Sequence, residues 1–153
     1  MHEGLSVIRA DSKHPDFIAL VQSLDKALSE IDGQEHSFYA QYNKIDLLNY
    51  VVLGYHGSKT VACGAIKPLS GAEVEIKRMY VAEQVRGKGI AGQILQELER
   101  WAKSLSYKRA VLETGKRQPD AIALYRKHGY QMIPNYGQYI GIENSVCFEK
   151  ELC

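Results

Sequence analysis

The residues best suited to chemistry lie between an alternating run, Glu75-Ile76-Lys77-Arg78-Met79-Tyr80-Val81, and a long amphipathic stretch. They are Arg86-Gly87-Lys88-Gly89-Ile90-Ala91-Gly92. Glycines permit a tight turn whose amides all point inward. The first turn of a helix carries N–H groups with no internal partner, and the helix dipole adds partial positive charge there. With Arg86 and Lys88 inside the turn, this is a site for a phosphate or pyrophosphate.

Two patterns compete for that anion. Gly87, Gly89 and Gly92 fit G-x-G-x-x-G, the dinucleotide fingerprint, and Glu113 lies about 20 residues further on, where a ribose-binding acid belongs. The context argues against it. Residues 82–86 separate the strand from the first glycine, the strand alternates where that fold needs a continuous apolar run, and some 70 residues of hairpin-like sequence come first. The second pattern fits better. Arg86-x-x-Gly89-x-Ala91 resembles the acyl-CoA pyrophosphate loop, Q/R-x-x-G-x-G/A, of the GNAT acetyltransferase superfamily. Lys77-Arg78-Met79-Tyr80-Val81 resembles the strand before that loop, and Glu113-Thr114-Gly115 the end of the next. Ala121-x-x-Leu124-Tyr125-x-Lys127-x-Gly129-Tyr130 resembles the later helix motif in order and spacing. The likeness is strong over residues 74–131, and Ser145-Val146-Cys147-Phe148-Glu149-Lys150 resembles the family's final strand. Gln118 stands where many members carry Asn.

The resemblance implies acetyl transfer from acetyl-CoA directly to a primary amine of a small molecule, amino acid or peptide. It implies that the amides of Arg86, Gly87, Lys88, Gly89, Ile90 and Ala91 hold the pyrophosphate, with Gln118 at the cofactor. Backbone groups of Met79, Tyr80 and Val81 would face the pantetheine arm and thioester, in a slot opened by a bulge. Lys88, Lys116, Arg117 and Lys127 are candidates for the 3′-phosphate. Tyr125 occupies the position of the acid that protonates the leaving thiolate, a task for a neutral phenol. Its other reading is packing, because Ile122, Tyr125 and Gly129 share a helix face. The base is Glu75, which alternation places on one face with Lys77 and Met79, or an ordered water, with Glu113 as competitor. A non-catalytic acyl-CoA-binding sensor on the same fold is the alternative. On the acceptor side, Asp25, Glu30, Asp32 and Glu35 with Phe38, Tyr39, Tyr42 and the run Pro134-Asn135-Tyr136-Gly137-Gln138-Tyr139 would suit a cationic amine.

The rest of the chain bounds this reading. With 153 residues, 45% apolar and 24% charged, it has the size and composition of one soluble domain, residues 1–153. No apolar run reaches membrane-span length and residues 1–10 carry no signal pattern, so the expected compartment is the cytoplasm. A net charge of +1 argues against nucleic acid as a partner; a homodimer is left open. Residues 1–73 carry a net −3 and residues 74–153 a net +4. Cys63, Cys147 and Cys153 have no zinc or redox spacing and read as free thiols, and the histidines form no metal set.

Periodicity supplies the elements. Strands are expected at residues 6–10, 50–55, 60–67, 73–81, 109–114 and 146–150, with further extended chain from 130 and at 139–142. Helices are expected at 16–31, partly over 35–48, at 89–105 with the stripe Ile90, Ile94, Leu95, Leu98, Trp101 and Leu105, and at 119–128. Hairpins leading into strand–helix–strand–helix–strand give a mixed α/β sheet of six or seven mostly antiparallel strands with about four helices, splayed at its centre if the family resemblance holds.

Overall fold

The computed structural model describes residues 4–32 and 48–152. The chain runs β1 (Ser6–Ala10), α1 (Pro15–Asp32), β2 (Tyr50–His56), β3 (Lys59–Pro68), β4 (Glu73–Val81), α2 (Ile90–Ser104), β5 (Arg109–Gly115), α3 (Pro119–Lys127), β6 (Gln131–Ile133) and β7 (Ser145–Glu151). The seven strands form one sheet in the order β1-β2-β3-β4-β5-β7-β6. Every pairing is antiparallel except β4 with β5.

The helices cover both faces. On one, α2 and α3 bury Ile90, Ile94, Leu95, Leu98 and Tyr125 against Val52, Ile66, Ile76, Leu112 and Phe148. On the other, α1 buries Phe17, Leu20 and Val21 against Val51, Leu53, Cys63 and Ala65. The α1 and α2 stripes at helical spacing and the period of two along the strands are what make this two-sided packing available. Cys63 and Cys147 are buried free thiols.

Among the described residues there are three α-helices, and the helical segment expected over 35–48 lies, but for Leu48, outside those residues. Two expectations change. Residues 139–142 are not a strand: Gly137 and Gly141 take φ +53° and +81°, and the N–H of Tyr139 donates to Tyr136 O and that of Ile142 to Tyr139 O, closing successive turns. Asn135 Nδ2 then ties the loop down through the carbonyls of Tyr139, Ile142 and Ser145 at 3.1, 3.2 and 3.1 Å. Leu105, expected in the apolar stripe, caps the helix and is exposed. No described helix is long and apolar enough to cross a membrane.

Candidate functional site

Two departures from sheet regularity build the site. The first is a bulge. Cys63 pairs with Tyr80 and Ala65 with Lys77, so Arg78 and Met79 together oppose the single residue Gly64. Arg78 takes φ +59°, the left-handed conformation a side chain seldom adopts. An inserted residue reverses the alternation beyond it. Met79 therefore packs with Ile76 on the α2 side, its sulfur facing Gly64, while Tyr80 packs on the α1 side. Met79 does not share the face of Glu75 and Lys77, against the expectation from simple alternation.

The second is a splay. β4 pairs with β5 only through Glu73–Arg109, Val74–Ala110 and Glu75–Val111. Beyond Glu75 the two strands separate, β5 continuing to Gly115 paired with β7 alone and β4 to Val81 paired with β3 alone. The gap opens into a cavity of about 890 Å³, lined by residues 75–81 of β4, Glu113, Thr114 and Gly115 of β5, the start of α2 and one face of α3. That volume lies within the ~300–1,000 Å³ of small-molecule sites.

At one end of the cavity stands the glycine turn. Gly87 and Gly89 take φ +80° and +78°, so the chain reverses sharply into α2, whose first turn begins without a side-chain cap. Its first amides therefore have no side-chain acceptor and are open to solvent or an anion. Arg86, Gly87, Gly89, Ile90, Ala91 and Gly92 line the cavity, whereas Lys88 does not. Arg86 is spent on shaping the turn: its Nε donates to Val81 O at 2.8 Å and its guanidinium lies 5.6 Å from the Tyr80 ring centre. Gly92 admits the next helix, because a Cβ there would stand 2.7 Å from His128 Nε2. Gln118, the residue before α3, lines the cavity with Arg117 and Lys127; Lys116 does not.

Tyr125 projects from α3 into the cavity and is buried, with its ring edge-on to Tyr130 at 5.8 Å and tilted against Phe148 at 6.4 Å. Burial raises its pKa well above the ordinary phenol value, and the charge of Glu113 adds to the shift. Glu75 lines the same cavity and is buried. The Tyr136 hydroxyl donates to its Oε2 at 2.6 Å and Lys77 Nζ lies 3.8 Å from its Oε1. Burial lowers the Lys77 pKa, with Glu75 pulling it back up. Glu113 accepts from Ser145 Oγ at 2.7 Å. Burial, then the Glu75 charge, raises Tyr136 and Tyr139 far enough to keep both phenols neutral.

The geometry thus brings Tyr125, Glu75, Met79, Tyr80, Val81, Arg86, Gly87, Gly89, Ile90, Ala91 and Gln118 around one space. From α1, Leu24, Ala27 and Leu28 line it. Asp25 is ion-paired with Arg78, Glu30 is exposed, and neither lines the cavity. The Asp32 side chain and residues Glu35, Phe38, Tyr39 and Tyr42 lie outside the described residues. Arg78 and the Tyr136 clamp on Glu75 were not legible in the alternation or spacing; the only signal was the aromatic run at residues 134–139. Among the described residues no cluster of His, Cys, Asp or Glu could hold a metal.

Comparison with known proteins agrees with this architecture. Residues 17–130 match the model of the acetyltransferase (GNAT) family. The chain is 28% identical over 152 residues to an IAA acetyltransferase of Azospirillum brasilense, covering 97% of this chain and 99% of that one. A solved structure from Klebsiella pneumoniae, assigned as an acyl-CoA N-acyltransferase, superposes with a TM-score of 0.83 at 27% identity, covering 99% of this chain and all of that one. A GNAT family acetyltransferase from Elizabethkingia anophelis with acetyl-CoA bound shares the fold, with a TM-score of 0.68 at 21% identity over 97% of this chain and 98% of the other.

Proposed function

Because the chain belongs to the GNAT acetyltransferase family, we propose that residues 1–153 act as one unit that passes the acetyl group of acetyl-CoA directly to a primary amine. The observation that carries this is the splay between β4 and β5. It supports one continuous cavity that has the uncapped start of α2 at one end and Tyr125 and Glu75 farther in.

The residues divide the work as follows. The amides at the start of α2 hold the pyrophosphate, and the open edge of β4 beyond Glu75 hydrogen-bonds the pantetheine arm as an added strand. An amide near Met79 or Tyr80 faces the oxygen on which negative charge develops. The amine nitrogen attacks the thioester carbonyl carbon, the C–S bond breaks, and the thiolate takes its proton from the Tyr125 hydroxyl. Glu75 receives the proton that the amine loses, directly or through an ordered water; Tyr136 and Lys77 orient its carboxylate. No nucleophile stands in the matched motifs, so no acyl-enzyme forms.

The direct test is a thiol-release assay with acetyl-CoA over amines, amino acids and peptides, paired with calorimetric titration of CoA. Release with at least one acceptor is expected, and neither heat nor release at millimolar CoA would remove the reading. Gly89→Val probes the turn. The protein leaves its Cβ position open, yet φ of +78° strains a β-branched residue by about 1–2 kcal/mol. Relief of that strain would turn the amide away and weaken CoA about tenfold. Unchanged affinity by calorimetry would clear this turn of the role.

A further inference from the structure

The guanidinium of Arg78 is only half used. Its Nη1 donates to Asp25 Oδ1 of α1 at 2.9 Å, and its side chain is 2% exposed. Nε and Nη2 are buried with no hydrogen-bond partner among the described residues. A buried donor left unsatisfied costs about 1–3 kcal/mol, more when charged, and arginine cannot shed its proton to escape that cost. The same residue holds the strained φ of +59° in the bulge. The inserted position is what carries its side chain to the α1 side, where Asp25 lies. Two unfavourable features on one cavity-lining residue mark it as functional.

Nε and Nη2 are the two donors along one edge of the guanidinium fork. Their parallel N–H vectors match the two oxygens of a carboxylate. A doubly charged phosphate fits less well, because Glu75 and Glu113 line the same cavity and Asp25 already shares the positive charge. We propose that the Nε–Nη2 edge of Arg78 receives a carboxylate of the acceptor, which makes the acceptor an amino acid or another primary amine bearing a carboxylate. This rests on the acetyltransferase reading above and narrows it.

The experiment compares matched triplets, each an amino acid, its carboxamide and its decarboxylated amine, by thiol release from acetyl-CoA. For at least one triplet the carboxylate member should exceed the other two in kcat/KM by about thirtyfold or more, the discrimination expected when a buried charged fork would otherwise stay empty. In Arg78→Met that ratio should fall to about threefold or less, with CoA affinity by calorimetry unchanged. Arg78→Lys, a point charge without the fork, should restore only part of it. A merely structural Arg78 would lower all three members together. Triplets that react alike throughout, or a preference that survives Arg78→Met, overturn the proposal. If Arg78→Met does not fold, the wild-type ratios and those of Arg78→Lys decide it. Absence of thiol release and of CoA binding would refute the acetyltransferase reading instead. The same triplets are then scored by their shift in melting temperature: stabilisation confined to the carboxylate member supports the Arg78 site, and equal shifts refute it.

Discussion

Tyr125→Phe should lower kcat about 10²–10³-fold, within the usual range for loss of a positioned general acid, while CoA affinity and melting temperature stay near wild type. The ring is what packs, against Tyr130 and Phe148, and phenylalanine keeps it. Only the hydroxyl is removed. What is lost is one proton, held where burial keeps the phenol neutral well beyond pH 10. The sign of that shift gives a second expectation. A group whose pKa is raised stays protonated as pH climbs, so the wild-type kcat profile should show no alkaline decline from Tyr125 below about pH 10. Single-turnover kinetics with acetyl-CoA is the measurement, because product release would otherwise hide the step. A chemical step of wild-type rate in Tyr125→Phe would leave the thiolate to another acid.

Gly64→Val should cost about 3 kcal/mol of stability, the upper part of the range for overpacking a well-filled core, and lower the melting temperature by roughly 6–12 °C for a chain of this size. A Cβ at Gly64 would stand 2.6 Å from Met79 Sδ and 2.9 Å from both Ile94 Cγ2 and Leu98 Cδ1. Met79 is flexible and could yield. Ile94 and Leu98 are fully buried on α2 and have nowhere to go. Relief must come from pushing α2 off the sheet or from undoing the bulge, and either disturbs the cavity wall. Thermal melts should therefore fall together with CoA affinity, and Gly64→Ala should lie between the two. A valine variant melting within about 2 °C of wild type would mean that this contact yields more easily than its distances suggest.

Much of the fold was written in local pattern. The period of two set β2, β3 and β4 to within a residue or so, and the 3.6 period set α2, because each buries one face against a layer that asks for that spacing. The turn at Gly87 and Gly89 was legible for a different reason: few residues other than glycine tolerate its dihedrals. The bulge left no such mark, since its left-handed residue is an arginine, and the face that alternation assigned to Met79 was the wrong one. The hydrogen bond from Tyr136 to Glu75 joins residues 61 positions apart. Such a pairing depends on β7 lying between β5 and β6, and no short window of sequence reports the order of strands. Asn135 reads as an ordinary turn residue until its three carbonyl partners are brought round it.

One consequence of the seam between β4 and β5 concerns motion. Three register pairs and the Arg109–Glu73 ion pair at 2.8 Å join the sheet's two halves, so local opening should begin where those pairs end. Amides of residues 76–81 and 112–115 should exchange with deuterium sooner than those of β2 or the rest of β5. A molecule that threads the gap as an extra strand would act as a zip, slowing exchange along both borders at once. At a hundred times its dissociation constant such a ligand adds about 2.7 kcal/mol to the folded state, and this chain should register it first as silence at those amides.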